Sequence, residues 1–176
     1  MEHFNPDVLI SEEELAIRIQ ELGNAITDDF AGEELVVICV LKGAFMFCSD
    51  LLKKIHLPIR LEFLQLSSYG EGTVSSGNVK IEMDLSGTIK GKHVLIVEDI
   101  VDSGLTITTL IKMLEMRSPK SIKLASLLFK PSRNTHPVTI DYLGFEIEDK
   151  FVIGYGLDYA GRYREVPYVG VINAGN

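Results

Sequence analysis

The chain has 176 residues, 46% of them hydrophobic, with 17 basic against 25 acidic side chains and a net charge of −8. That length suits one domain, residues 1–176, with a substantial core. No apolar run approaches the roughly 20 residues of a membrane span, and the acidic surplus speaks against a general binder of nucleic acid or anionic membrane. The opening Met1-Glu2-His3-Phe4 lacks the basic-then-apolar order of a secretory signal, so a cytoplasmic location is expected. Cys39 and Cys48 lie in apolar stretches without Cys-x-x-Cys spacing and are expected to be buried free thiols.

Ser11-Glu12-Glu13-Glu14 reads as a capping box, and Leu15, Ile19, Leu22 and Ile26 follow at helical spacing. Leu35 to Leu41 is a short unbroken apolar run rich in β-branched residues, the pattern of a strand covered on both faces. Gly43 to Ile55 reads as a helix and Pro58 to Ser67 as a strand. The polar, Gly- and Ser-rich stretch from Ser68 to Asn78 is long for a loop, which is the mark of a functional lid or of disorder. In Val79 to Leu85 the apolar residues Val79, Ile81, Met83 and Leu85 alternate with polar ones, so the loop is expected to join two antiparallel strands as a flap. Then come a buried strand from His93 to Val97, a helix from about Thr106 to Met116, and strands over Ile122–Phe129, Ile140–Phe145, Phe151–Tyr155 and Tyr168–Ile172. Strands alternate with helices through the middle, which predicts an α/β fold with a mostly parallel, doubly wound sheet. His3, His56, His93 and His136 show no metal-ligand spacing and read as surface or loop-end residues; the five methionines read as core filler.

In open α/β sheets, ligands sit at the carboxyl ends of strands. There the chain reads Val97-Glu98-Asp99-Ile100-Val101-Asp102-Ser103-Gly104-Leu105-Thr106. Unpaired N–H groups at a helix start can hold a phosphate, and Gly104 lets the backbone come close. Ser103 and Thr106 add hydroxyls. The carboxylates of Glu98 and Asp99 would repel a phosphate but suit ribose hydroxyls and a hard cation such as Mg²⁺. The combination reads as a site for a sugar that carries a phosphate. The Gly-Lys-Ser/Thr of a Walker loop is absent from it.

Val97 to Thr106 resembles the signature with which type I phosphoribosyltransferases bind phosphoribosyl pyrophosphate (PRPP). Leu41-Lys42-Gly43, Ser68-Tyr69, Ser126 to Lys130, Phe151 to Tyr159 and Arg164 resemble, in order, the 6-oxopurine branch of that family, the hypoxanthine-guanine phosphoribosyltransferases. The resemblance implies a small hood region, a flap at about 68–79, Mg²⁺ as cofactor, and a homo-oligomer, dimer or tetramer. It implies transfer of the phosphoribosyl group to N9 of hypoxanthine or guanine, a step of purine salvage. Asp102 would be the general base at N7 of the purine; a helix-start aspartate also serves as an N-cap. Glu98 and Asp99 would hold the ribose hydroxyls, directly or through the metal, and Ser103, Gly104, Leu105 and Thr106 the 5′-phosphate. Lys42 and Gly43, after a peptide bond expected to be cis, and Arg164 would meet pyrophosphate. Lys130 would donate to O6 of the base, Phe151 would stack on its ring and Val152 would meet its edge, although both of the latter also suit a core. Asp158 would bind a second Mg²⁺ near the base, and Ser68 and Tyr69 would close over the reacting centre.

Two other readings differ in class. A phosphorylated receiver domain would share the strand and acidic pair at His93–Asp99, but about ninety residues precede it here. A non-catalytic PRPP sensor that binds nucleic acid should carry a basic face, against the net charge of −8. A phosphoribosyltransferase for another base differs only in its base profile.

Overall fold

Seven apolar residues in a row, Leu35–Leu41, form the central strand β2 of a six-stranded sheet. The computed structural model describes residues 6–68 and 79–172. The sheet order is β4 (Val79–Met83), β3 (Ile59–Ser68), β2, β5 (His93–Val101), β6 (Ser121–Phe129) and β7 (Tyr142–Glu146). All neighbours run parallel except the β3–β4 pair, which is antiparallel as the alternating pattern predicts. Alternate residues of β2 feed opposite layers, which is why its run is apolar throughout. Leu35, Val37 and Cys39 face a cluster built with helices α1 (Glu12–Asp29) and α2 (Phe45–Leu52), whereas Val36, Ile38 and Val40 face one built with helix α3 (Leu105–Glu115).

The chain leaves β2 on one side, to β3, and returns on its other side, to β5. That reversal opens a crevice at the carboxyl ends of β2 and β5. Over it stands a second, antiparallel sheet of β1 (Asp7–Ile10), β9 (Val169–Val171) and β8 (Val152–Ile153), which corresponds to the expected hood.

Local signals formed most elements. Ser11 caps α1 in a complete capping box, and Leu15, Ile19, Leu22 and Ile26 are its buried stripe. Other expectations need correcting. Strand β5 does not stop at Val97; Glu98, Ile100 and Val101 keep their register with Ser126, Leu128 and Phe129 of β6. Helix α2 covers Phe45–Leu52, shorter than the expected Gly43–Ile55. Strand β8 has two residues because Gly154 and Tyr155 both take positive φ, 87° and 49°. Met83 and Met116 are 45% and 78% exposed, so neither fills the core. His93 is half-buried: its Nδ1 lies 2.6 Å from the Ser121 Oγ and its ring meets Phe30 edge-on at 5.4 Å. His56 and His136 are exposed, and His3 lies outside the described residues. The flap falls outside them too, for Tyr69 and residues 70–78; of Ser68, only its place at the end of β3 is described.

Candidate active site

The crevice is lined from three directions. From β2 come Lys42 and Gly43, after a cis Leu41–Lys42 peptide bond. Lys42 is exposed. A Cβ on Gly43 would collide with the Asp99 carboxylate, so only glycine lets the two strand ends approach this closely.

From β5 come Glu98 and Asp99. The Asp99 N–H donates to the Glu98 Oε1 at 3.1 Å, and the Ile100 N–H donates to the Asp99 Oδ1 at 2.7 Å. Burial, then the neighbouring Asp99 charge, pushes the Glu98 carboxyl well above the usual carboxylate range. Burial also raises Asp99, while the bonds it accepts and the Arg164 charge pull it down. Two adjacent half-buried carboxyls carry one negative charge more readily than two. Their oxygens can accept from ribose hydroxyls or ligate a hard cation.

Beyond β5 the chain turns into α3. Gly104 takes φ 83° at the N-cap, and no side chain caps the helix. The first-turn N–H groups therefore keep their capacity for an anion, apart from that of Leu105, which donates to the Ser103 Oγ at 3.3 Å. The turn is pinned from behind, because the N–H groups of Thr135 and His136 donate to the Ser103 carbonyl at 3.1 and 2.9 Å. Glu98, Asp102, Ser103, Gly104 and Thr106 line a cavity of about 90 Å³ at this turn.

Asp102 stands half-buried at its edge. The Arg133 Nε lies 3.1 Å from the Asp102 Oδ1, and the other arm of Arg133 reaches Asp149 at 3.4 Å. Asp149 in turn pairs with Lys130 at 3.6 Å. Lys130, 8% exposed, directly follows β6, and its N–H donates to the Val101 carbonyl at 3.0 Å. The third wall is the hood loop. Phe151 is 52% exposed with Tyr159 edge-on at 5.7 Å, so a face of its ring stays open; Val152 is buried in β8. Arg164 donates to the Gly156 carbonyl at 2.6 Å and pairs with Asp158 at 2.7 Å.

The structure thus gathers Lys42, Gly43, Glu98, Asp99, Asp102 and the turn from Ser103 to Thr106, with Lys130 linked to Asp102 through Arg133 and Asp149. Asp158 does not join Glu98 and Asp99. Its carboxylate is taken by Arg164 and by the Gly161 N–H at 2.7 Å, and no metal-ready group of three or more acidic, His or Cys side chains occurs among the described residues. Arg133 and Asp149, which the sequence reading does not single out, stand between Asp102 and Lys130. Cys39 and Cys48 are buried free thiols; the hydrogen bond between them and burial push Cys39 up, away from reactive thiolate.

An α/β crevice with paired carboxylates beside an uncapped helix start can hold a phosphorylated sugar. A family-wide sequence model, described as the phosphoribosyl transferase domain, matches residues 9–160, and the chain belongs to the phosphoribosyltransferase family. It is 48% identical over 172 residues to the hypoxanthine-guanine phosphoribosyltransferase of Bacillus subtilis, covering 98% of this chain and 96% of that one. A crystal structure of a hypoxanthine phosphoribosyltransferase from Staphylococcus aureus superposes with a TM-score of 0.92 at 42% identity, covering 94% of this chain and 90% of that one. The bifunctional protein TilS/HprT of Listeria innocua is 49% identical over 165 residues; the match covers 94% of this chain, which spans only 26% of that relative.

The raised Glu98 carboxyl makes a pH prediction. A group that holds its proton more tightly when folded stabilises the fold most below its unfolded value, near 4.5, and that contribution falls as pH rises toward the folded value. Glu98→Gln should therefore gain stability relative to wild type as pH rises above 4.5. Urea midpoints of the two proteins across pH check this; a difference that does not change with pH contradicts it.

Proposed function

We propose that the chain transfers the 5-phosphoribosyl group of PRPP to N9 of hypoxanthine or guanine, with release of pyrophosphate. The observation that carries this is the meeting of three features at the β2/β5 switch. These are the Lys42–Gly43 turn, the Glu98–Asp99 pair, and the uncapped start of α3 behind Asp102.

The roles follow from chemistry. N–H groups of the Ser103–Thr106 turn, with the Ser103 and Thr106 hydroxyls, bind the 5′-phosphate. Glu98 and Asp99 accept from the ribose 2′- and 3′-hydroxyls. Lys42, the Gly43 backbone and Arg164 take the pyrophosphate end, where a guanidinium fits two phosphate oxygens at once. The family implies Mg²⁺: the paired carboxyl oxygens of Glu98 and Asp99 would hold one ion, and Asp158, once released by Arg164, would hold a second near the base; when bound, the metal would neutralise charge on the departing pyrophosphate. As N9 bonds to the ribose carbon, the Asp102 carboxylate takes the N7 proton. Lys130 donates to O6; a 6-amino group there would offer this buried ammonium N–H donors in place of an acceptor, which selects 6-oxopurines. Phe151 stacks on the base, Val152 offers backbone groups to its edge, and Ser68 and Tyr69 close the centre against water.

The substrates are small molecules, and the net charge of −8 speaks against nucleic acid as a partner. No helix among the described residues is long and apolar enough to cross a membrane. The two free thiols support a cytoplasmic setting. A homo-oligomer is supported by apolar side chains on the α1/α2 side of the sheet: Leu61 and Phe63 of β3 with Phe45 of α2 are each 39–43% exposed, beside the 45% exposed Met83.

Two outcomes are expected. Nucleotide forms, by absorbance, from PRPP, Mg²⁺ and hypoxanthine or guanine but not from adenine, and Asp102→Asn lowers kcat by about 10²–10⁴-fold. No reaction with any base despite PRPP binding would favour the sensor. By light scattering the wild type is a dimer or tetramer and Phe63→Asp shifts it toward monomer; a monomeric wild type contradicts the assembly.

A further inference from the structure

Between the two groups assigned to the purine stand two that have no assigned role. The order is Asp102, Arg133, Asp149, Lys130, alternating in charge, with separations of 3.1, 3.4 and 3.6 Å. The four come from three segments. Asp102 follows β5, Lys130 and Arg133 bracket the short 3-10 turn Pro131–Arg133 after β6, and Asp149 lies two residues before Phe151. The turn is closed by the Arg133 N–H on the Lys130 carbonyl at 3.1 Å, so one tight bend aims both cations toward one wall of the crevice.

Stability does not account for the two middle members. Arg133, Asp149 and Asp102 are about half exposed, at 52%, 48% and 42% of side-chain surface, and ion pairs this exposed add little to a fold. Lys130 is different: its side chain is 10% exposed, so its ammonium needs a partner, and Asp149 is the carboxylate that meets it.

We propose that Arg133 and Asp149 are positioning residues for the transfer, tying the base at N7 to the donor at O6 as one unit. The inference rests on the roles given above to Asp102 and Lys130. N7 and O6 lie on the same edge of a 6-oxopurine, so a carboxylate and an ammonium held in fixed relation read both atoms together. When Asp102 takes the N7 proton and loses its charge, Arg133 keeps a counter-ion in Asp149. When Lys130 turns to O6, Asp149 keeps one in Arg133. Arg133 keeps a counter-ion throughout, Lys130 exchanges Asp149 for the O6 acceptor, and the carboxylate and ammonium are aimed before the base arrives.

The test compares wild type, Arg133→Gln, Asp149→Asn, their double variant and Asp149→Glu, with hypoxanthine, PRPP and Mg²⁺, together with the Tm of each. Each single neutral variant should lower kcat by about tenfold with the PRPP KM within about twofold. The double variant should be no slower than the slower single one, because the two act through one unit. Asp149→Glu should recover most of the rate, and every Tm should stay within a few degrees. Losses that multiply in the double variant, unchanged rates, no recovery with glutamate, or a collapse in Tm would each overturn the proposal. So would a raised PRPP KM at constant kcat in Arg133→Gln, which would make Arg133 a phosphate ligand. A wild type inert toward every 6-oxopurine would instead overturn the underlying reaction, and this role with it.

Discussion

Gly43 lacks a side chain, and the crevice depends on that. The Asp99 carboxylate occupies the place where a Cβ would stand, and the Gly43 carbonyl in turn fills the place a Cβ would take on Gly156. Three segments remote in sequence, the ends of β2 and β5 and the hood loop, therefore meet at van der Waals contact over one residue. Close packing transmits a misfit. A methyl group at Gly43 would push Asp99 off its bond to the Ile100 N–H, and with it the neighbouring Glu98. The same contact sets the height of the hood above the sheet, and so the distance from Phe151 and Arg164 to the β5 motif.

The electrostatics of the site follow from that crowding. Glu98 and Asp99 are held together where burial disfavours charge, so they are poised to gain a hydroxyl donor or a cation. A few residues on, the helix start presents bare N–H groups that favour an anion. Opposite preferences this close suit a ligand that carries both a hydroxylated ring and a phosphate. The chain of Asp102, Arg133, Asp149 and Lys130 adds a third zone, where carboxylates and cations alternate.

Much of this was legible in the sequence where the signal is local. The run Leu35–Leu41 announced a strand buried on both faces because both layers need apolar side chains from it. Ser11 and Glu14 announced the start of α1 because a capping box is a contact between residues three apart. The Glu98–Thr106 segment stood out as a candidate because two neighbouring carboxylates on a buried strand are costly without a ligand, and it lies at the crevice. What escaped depends on distant partners. Strand β1 is four residues long and exists through its pairing with β9, more than 150 residues away. The last four residues of β5 were hidden because Glu98 and Asp99 break the apolar run, although Glu98, Ile100 and Val101 still pair with β6. Arg133 and Asp149 look like ordinary loop charges until the fold sets them between Asp102 and Lys130. Asp158 carried no local sign that Arg164 would claim it.

The most direct test is a crystal structure of the protein soaked with the product nucleotide, inosine 5′-monophosphate, and Mg²⁺. The account predicts the 5′-phosphate on the N–H groups of the Ser103–Thr106 turn, the ribose hydroxyls at Glu98 and Asp99, and the base between Phe151 and the Asp102–Lys130 wall. A nucleotide seated elsewhere, such as in the cleft of about 590 Å³ between α1 and α2 beside Asp50 and Tyr155, would contradict it.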